Sequence, residues 1–152
     1  MKLNRTVRTA VLLSLALIFQ QIKVQWVAGP AVNALLIIAA GYNGLAYAVV
    51  LGCLTPLLAF LTGTMPLLIA VPVIAAGNSI FCAGYSLLSK RSAPAGIAAG
   101  ALLKFAVMAT AVHWVIQAPP AVANALSLPQ LFTALAGGMV GLLVLRYLPK
   151  EE

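Results

Sequence analysis

The stretch "APAGIAAGALLKFAVMATAVHWVIQ" (residues 93–117) is apolar over nearly its whole length and carries one Lys or Arg, Lys104. A membrane-spanning helix needs about 20 mostly apolar residues, so this stretch is long enough to cross a bilayer. The whole chain has the same character, with 63% hydrophobic and only 7% charged residues. Ordinary soluble domains carry about 25% charged residues. The sequence therefore predicts a protein that crosses the cell membrane several times.

Glycine, proline and polar residues divide the chain into six apolar pieces. The predicted spans are residues 7–26, 30–42, 43–62, 66–89, 93–117 and 127–148. The second is short, and it either stands alone or merges with the third through the "GYNG" turn at residues 41–44. We expect an all-α fold, with residues 1–152 forming a single domain of six transmembrane helices.

The amino-terminal stretch "MKLNRTVRTAVLLSLALIF" also has the basic start and apolar run of a secretory signal. It runs on through Phe19 without a clear small-x-small cleavage site before the polar "QQIK". The topology also requires this segment as a helix, so we interpret it as the first span.

Basic residues predict the orientation, because Lys and Arg are enriched in cytoplasmic loops. With six spans, three basic groups fall on one side of the membrane: Lys2, Arg5 and Arg8; Lys90 and Arg91; Arg146 and Lys150. Lys23 is the basic residue near the other side. Both termini are therefore expected in the cytoplasm. The net charge of +7 does not indicate nucleic-acid binding, because the basic residues are scattered between apolar runs.

Small residues recur at four-residue spacing in three predicted spans: Gly44, Ala48 and Gly52; Gly96 and Gly100; Gly137 and Gly141. Such residues let helix backbones approach closely in lipid. The pattern indicates packing within the bundle, and association with another membrane protein is the alternative.

The chain is poor in groups that could perform catalysis. Its two acids, Glu151 and Glu152, are its last residues, and it has one histidine and no motif that pairs a nucleophile with a base. It has no GxxxxGK[ST] phosphate-binding motif and no intramembrane carboxylate for ion coupling. Cys53 and Cys82 stand alone in different apolar runs, which does not fit a metal site. We therefore expect no enzyme, no metal and no cofactor.

The candidate ligand-binding residues are the polar and aromatic groups within or near the spans. Counting from Pro66 and Gln117 places Asn78 and Lys104 at similar depth, roughly 18 to 20 Å below the outer face. The other candidates lie nearer the outer ends: Asn33, Thr55, His113, Trp114, Gln117 and Gln130. Their alternative roles are interfacial anchoring for Trp114 and His113 and interhelical bonding for Asn78. Prolines gather toward the same side and suggest an outward-facing cavity: Pro56, Pro66, Pro72, Pro119 and Pro120.

Lys104 needs an explanation, because a lysine at mid-helix costs about 2.5 to 3.5 kcal/mol on insertion scales. A side chain of about 6 Å does not reach either interface from mid-depth. Three explanations follow: a neutral lysine, a lysine bonded to carbonyls and Asn78 around a few waters, or a lysine that meets an anionic ligand group such as a carboxylate or phosphate.

The chain resembles a known family in being a short six-helix chain with both termini inside that contains "GPAVNALLIIAAGYNGLAYAVVLGCLTPLLAFLTG" and "PVIAAGNSIF". It is similar to the substrate-binding S components of energy-coupling factor transporters. The resemblance implies capture of a vitamin or related micronutrient from outside. Folate, thiamine, riboflavin, biotin, pantothenate and queuosine precursors all remain open.

The resemblance also implies partners, namely a coupling transmembrane protein and two ATPase subunits. The family often carries an alanine pair at four-residue spacing on the first helix, facing the coupling protein. The nearest match here is Ala10 with Ser14.

Two other functions fit the same sequence. One is a self-contained channel or facilitator that forms a homo-oligomer through its glycine-rich helices. The other is an assembly subunit of a larger membrane complex, with no ligand of its own.

Overall fold

The computed structural model describes residues 4–149, which form helices and turns and contain no strand. The helices are α1 (Arg5–Gln20), α2 (Gln25–Ile38), α3 (Leu45–Leu61), α4 (Ala70–Leu88), α5 (Ala93–Thr110), α6 (Pro120–Ala125) and α7 (Leu128–Tyr147). Two π-helical segments, Ala39–Asn43 and Ala111–Val115, continue α2 and α5. The all-α prediction is therefore confirmed. Lys2, Lys150 and the two glutamates lie outside the described residues.

Several predicted boundaries were wrong. The first helix ends at Gln20, and the second begins at Gln25, so the second span is longer than residues 30–42. Pro30, the predicted start of the second span, lies inside α2. It is close enough to the first residue of α2 that its missing N–H affects only the first turns of the helix. The fourth helix begins at Ala70 rather than at residue 66. The predicted sixth span is preceded by a separate short helix, α6.

The "GYNG" segment separates α2 from α3. Gly44 has φ of 100°, a left-handed conformation that favours glycine and ends the helical path. The second and third spans therefore do not merge.

Four helical stretches are long and apolar enough to cross a membrane: Gln25–Asn43, Ala70–Leu88, Ala93–Val115 and Pro120–Tyr147. The helix Leu45–Leu61 is apolar but shorter. Large apolar side chains are exposed on many faces of the bundle, including Val11, Ile18, Leu61, Leu87, Leu102 and Val140. A soluble monomer rarely exposes apolar surface on this scale, whereas a lipid-covered bundle does. The structure is thus consistent with a helical membrane protein.

The long helices alternate in direction. At one end of the bundle, the Asn43 amide donates to Thr9 Oγ1 at 2.9 Å, which joins the end of the second helical stretch to the start of α1. The end of α4 and the start of α5 meet this end, where Lys90 and Ala93 line a cleft with Leu45. At the opposite end, Gln20 reaches α3. Both ends of the described chain therefore lie at the same end of the bundle.

The basic residues follow this alternation. Five of them lie at or next to the end that holds the start of α1, which we call the arginine end: Arg5, Arg8, Lys90, Arg91 and Arg146. Lys23 lies at the opposite end, which we call the Lys23 end. The two ends thus differ in charge as the sequence predicted.

Glycines make the closest helix contacts inside the bundle. A Cβ on Gly100 would lie 2.6 Å from the Phe81 carbonyl oxygen, so α5 packs directly on the backbone of α4. A Cβ on Gly141 would lie 2.7 Å from the Ala34 carbonyl oxygen, and one on Gly137 would lie even closer to the Pro30 carbonyl oxygen of α2. The interpretation of Gly100, Gly137 and Gly141 as internal packing residues is confirmed, because larger residues would force the helices apart. For Gly44 it was wrong, because Gly44 lies in the turn before α3 and nothing is within 4 Å of its Cβ position.

Two apolar clusters lie at different heights in the bundle. The larger, toward the arginine end, is built around Leu36, Ile37, Leu51, Phe81, Cys82, Ile97, Ala101 and Ala134. The smaller, toward the Lys23 end, contains Ala70, Met108, Val112, Ala123 and Leu126. On α5, Lys104 lies between Ala101 of the first cluster and Met108 of the second. A polar layer therefore interrupts the core at Lys104.

Candidate functional site

Lys104 is buried, with 2% of its surface exposed, and it joins three helices. Its Nζ donates to Asn33 Oδ1 on α2 at 2.7 Å and to Asn78 Oδ1 on α4 at 2.8 Å. The ring of Phe81 lies 5.6 Å from the same nitrogen, which places the lysine against an aromatic face. A bond from Lys104 to Asn78, which belongs to one of the three explanations that the sequence leaves open, is present. The carbonyl groups that accept from Lys104 are therefore side-chain amides and not backbone carbonyls.

Both asparagine amides are held so that their oxygens point at Lys104. The Nδ2 of Asn33 donates to the Gly29 carbonyl at 2.9 Å, and the Nδ2 of Asn78 donates to the Gly52 carbonyl at 3.0 Å. A backbone carbonyl only accepts hydrogen bonds, so each amide must turn its nitrogen toward the carbonyl and its oxygen away. The orientation of both oxygens thus follows from the backbone of α2 and α3.

Pro56 explains why the Gly52 carbonyl is available. In a regular helix this carbonyl would accept from the N–H four residues later, but that residue is Pro56, which has none. The Asn78 amide takes the vacant position, and Thr55 Oγ1 donates to the same carbonyl at 3.3 Å. A proline in α3 therefore creates the acceptor that orients a side chain on α4.

Each of the three polar side chains lies against a glycine of a neighbouring helix. A Cβ on Gly52 would lie 3.0 Å from Asn78 Cβ, and one on Gly77 would lie 3.3 Å from Lys104 Cγ. On α7, a Cβ on Gly137 would lie 2.7 Å from Asn33 Cβ. These glycines leave room for the side chains that meet in the polar layer.

A cavity of about 130 Å³ borders the polar layer. Its walls include Asn33, Asn78, Thr55 and Lys104, together with apolar groups such as Val32 and Ile74. A cleft of about 630 Å³ at the Lys23 end shares several wall residues with it: Gln20, Gln25, Ala28, Ala59 and Met65. The cavity is thus reached from the Lys23 end, and the larger apolar cluster lies beyond the polar layer toward the arginine end.

Five of the eight predicted ligand-binding residues line this cavity: Lys104, Asn78, Asn33, Thr55 and Gln130. Asn33 lies deeper than predicted, because α2 begins at Gln25 and Asn33 is therefore eight residues into the helix rather than three. Roughly 12 Å of helix separates it from the start, which is the same distance that separates Asn78 from the start of α4. This equal depth is what allows both asparagines to meet one lysine.

The other three predicted residues, His113, Trp114 and Gln117, do not line the cavity. They follow the point where α5 changes to a π-helical segment, which alters the direction of successive side chains. His113 is exposed and its Nε2 lies 3.3 Å from Ser127 Oγ, while Trp114 is 82% exposed. Trp26 is 60% exposed at the same end. Both tryptophans have the exposure expected of interfacial anchors.

Sequence reasoning missed Gln20, which lines both the cavity and the cleft. It lay in the polar "QQIK" within the predicted first span, residues 7–26, and was not included among the candidate ligand-binding residues. The sequence signal for this role is its place at the end of the first apolar run. In the structure it is the last residue of α1, and its side chain contacts α3 rather than solvent.

Ala10 and Ser14 lie on the exposed face of α1. Ser14 Oγ donates to the Ala10 carbonyl at 2.9 Å, so the serine satisfies its hydroxyl within its own helix. The pair therefore forms a patch of small side chains on the exposed face of the helix. Its role in partner binding stays a prediction.

Comparison of the chain with protein-family models, with curated proteins and with solved structures gave no match.

Proposed function

We propose that this protein is the membrane-embedded substrate-binding subunit of an energy-coupling-factor-type importer, located in the cell membrane with both termini in the cytoplasm. It takes a small anionic vitamin or micronutrient from outside. The observation that carries the proposal is the cavity that leads from the Lys23 end to Lys104 and borders the apolar core there.

The electrostatics of the cavity favour an anion. The chain has no acid other than Glu151 and Glu152, so Lys104 has no carboxylate partner within the spans. A protonated Lys104 has three N–H donors, of which two are accepted by Asn33 and Asn78. An anionic oxygen in the cavity would accept the third and would neutralise a charge that is costly to bury. Lys23 at the rim of the cleft adds a second positive charge on the approach.

The cavity alone does not move its ligand. The apolar cluster around Leu51, Phe81 and Ala101 is fully buried and lies between the polar layer and the arginine end. The sequence has no phosphate-binding motif that would supply ATP energy. Release of the ligand on the other side therefore requires a partner that moves this chain, which is the role of the coupling protein and the two ATPase subunits.

The homo-oligomeric channel has less support. Its predicted association surfaces were the glycine-rich helix faces, but Gly52, Gly100, Gly137 and Gly141 are used in contacts inside one chain. A continuous pore would also have to pass through the buried apolar cluster between Lys104 and the arginine end. We therefore retain the substrate-binding subunit as the proposal.

Native mass spectrometry of the gently extracted protein tests this function with two matched variants. We expect the native chain to carry a small molecule together with a coupling protein and two ATPase subunits. Lys104→Met should lose the small molecule and keep the partners. Ala10→Leu combined with Ser14→Leu should lose the partners and keep the small molecule. Leucine replaces the small side chains on the exposed face of α1 and would prevent close approach of a partner helix.

Uptake measurements complete the test. Both variants should fail to take up the solute, each for its own reason. A native chain that transports alone as a homo-oligomer would refute the proposal in favour of the channel, and partners without any small molecule would favour an assembly subunit. If the Ala10 and Ser14 double variant loses the small molecule as well, this face serves the packing of the bundle.

A further inference from the structure

Gln20 presents a buried acceptor without a donor. It is the last residue of α1, and its Nε2 donates to the Thr55 carbonyl at 3.3 Å. Its Oε1 is buried, and no donor among residues 4–149 lies within hydrogen-bonding distance of it. Buried acceptors are nearly always paired in folded proteins, because an unpaired one loses its bond to water.

The Thr55 carbonyl fixes which atom of Gln20 is left over. A carbonyl only accepts, so the amide nitrogen must face it and the amide oxygen must point elsewhere. Turning the amide over would place two acceptors together and leave the nitrogen unpaired instead. Gln20 and Lys104 both line the cavity that borders the polar layer, so the residue with the unpaired acceptor and the residue with the available donor share one cavity.

We propose that the ligand is a monocarboxylate that also carries an O–H or N–H donor, with the carboxylate bound by Lys104 and the donor accepted by Gln20 Oε1. This inference rests on the proposed function, since it describes the solute of the same cavity. It assigns Gln20 as a residue that determines specificity.

The surroundings of Lys104 favour a carboxylate over a phosphate group. The lysine is the one cation on the cavity wall within residues 4–149, and two of its donors are already accepted by Asn33 and Asn78. A phosphate dianion would therefore meet a single available N–H beside two amide oxygens that repel it. A carboxylate needs only one charge to be balanced, and a cavity of about 130 Å³ leaves room for only a small acid.

Benzoate and its simple derivatives test this inference, because they combine a carboxylate with a compact apolar body. The purified full-length protein in detergent is titrated by calorimetry with benzoate, with meta- and para-hydroxybenzoate, and with the corresponding methoxybenzoates. The methoxy compounds are matched controls, since they have the same oxygen without its proton. Phenyl phosphate is the control for the anionic group.

We expect at least one hydroxybenzoate to bind at least fivefold more tightly than both benzoate and its methoxy counterpart. Gln20→Met should abolish this preference, so that each hydroxybenzoate and its methoxy counterpart bind with equal affinity. Lys104→Met should remove specific binding of all the carboxylates. Phenyl phosphate should bind at least fivefold more weakly than benzoate.

Two outcomes would overturn the inference without affecting the proposed function. One is Lys104-dependent binding of benzoate with no preference for any hydroxyl compound, which the native protein alone reveals even if the Gln20 variant does not fold. The other is tighter binding of phenyl phosphate. If no compound shows Lys104-dependent binding, the inference also fails, while the proposed function is decided separately by the masses of the ligand and partners found on the native chain.

Discussion

Two consecutive turns of α5 have opposite characters. At Gly100, α5 contacts the backbone of α4 without any intervening side chain, and the buried residues around it are apolar. One turn later, Lys104 extends to α2 and α4 and borders a polar cavity. We call the turn at Gly100 the tight turn and the turn at Lys104 the open turn. Both lie between α4 and α5.

The difference shows how a helical bundle can hold the Lys104 side chain in a fixed position. Close contact at Gly100 sets the separation of α4 and α5, and Lys104 then reaches Asn78 across the distance that remains. Glycine packing is also used on the other side, where Gly137 brings α7 against Asn33. The polar layer therefore depends on apolar contacts one turn away, and each prediction below changes one side of this comparison.

Gly100→Val should have the largest effect. Its Cβ would lie 2.6 Å from the Phe81 carbonyl oxygen, so the backbones of α4 and α5 would have to separate. We expect a destabilisation of about 3 kcal/mol or more, which is the upper range for overpacking in a well-packed core. Thermal unfolding of the purified protein measures it. The matched control is Ala106→Val on the exposed side of the same helix, which should unfold near the native temperature. Equal stability of the two variants would contradict the packing at Gly100.

Lys104→Met changes the open turn and should leave the tight turn intact. Methionine is similar in length and carries no charge to bury, so the variant should insert at least as well as the native chain. We expect its affinity for the ligand to fall at least tenfold, or about 1.4 kcal/mol. Direct titration with the solute identified on the native protein measures the loss.

Lys104→Arg is the companion variant. It keeps a positive charge, but its planar fork does not fit between two amide oxygens that are placed for one ammonium nitrogen. We therefore expect weaker binding here too. Normal binding by Lys104→Met would mean that the lysine is structural, and the proposal of an anionic solute would fail with it.

The sequence predicted the polar layer only in part. Counting residues from helix ends brought Lys104 and Asn78 to one depth because helical rise is regular, although the count for Asn78 began at Pro66, four residues before the start of α4. Asn33 was placed too near the surface, since Pro30 had been taken as the start of its helix. The orientation of Asn78 depends on a carbonyl that Pro56 leaves free on another helix. Such a contact between helices has no signal in residue spacing.

Asn78→Leu should have a smaller effect that depends on Lys104. The change removes an acceptor from Lys104 and leaves the Gly52 carbonyl without the Asn78 donor. An unpaired buried group costs about 1 to 3 kcal/mol, so we expect a destabilisation in that range. In the Lys104→Met background the cost should be smaller, because the lysine no longer needs the acceptor. A double-mutant cycle on thermal stability measures the coupling. Additive effects would show that the two side chains do not interact.

The last prediction concerns which side of the membrane the cavity beside Lys104 faces. The cysteine substitutions that test it should leave the stability of the protein unchanged. Ser92 precedes α5 at the arginine end, and Ala121 lies in α6 at the Lys23 end; both are exposed. Single cysteines at these positions, in a chain without Cys53 and Cys82, therefore differ in sidedness rather than in burial. Because basic residues favour the cytoplasm, an impermeant thiol reagent should label position 121 in intact cells and position 92 only after permeabilisation. Labelling at 92 in intact cells would reverse the orientation, and the cavity beside Lys104 would then open to the cytoplasm, which is incompatible with capture of a solute from outside.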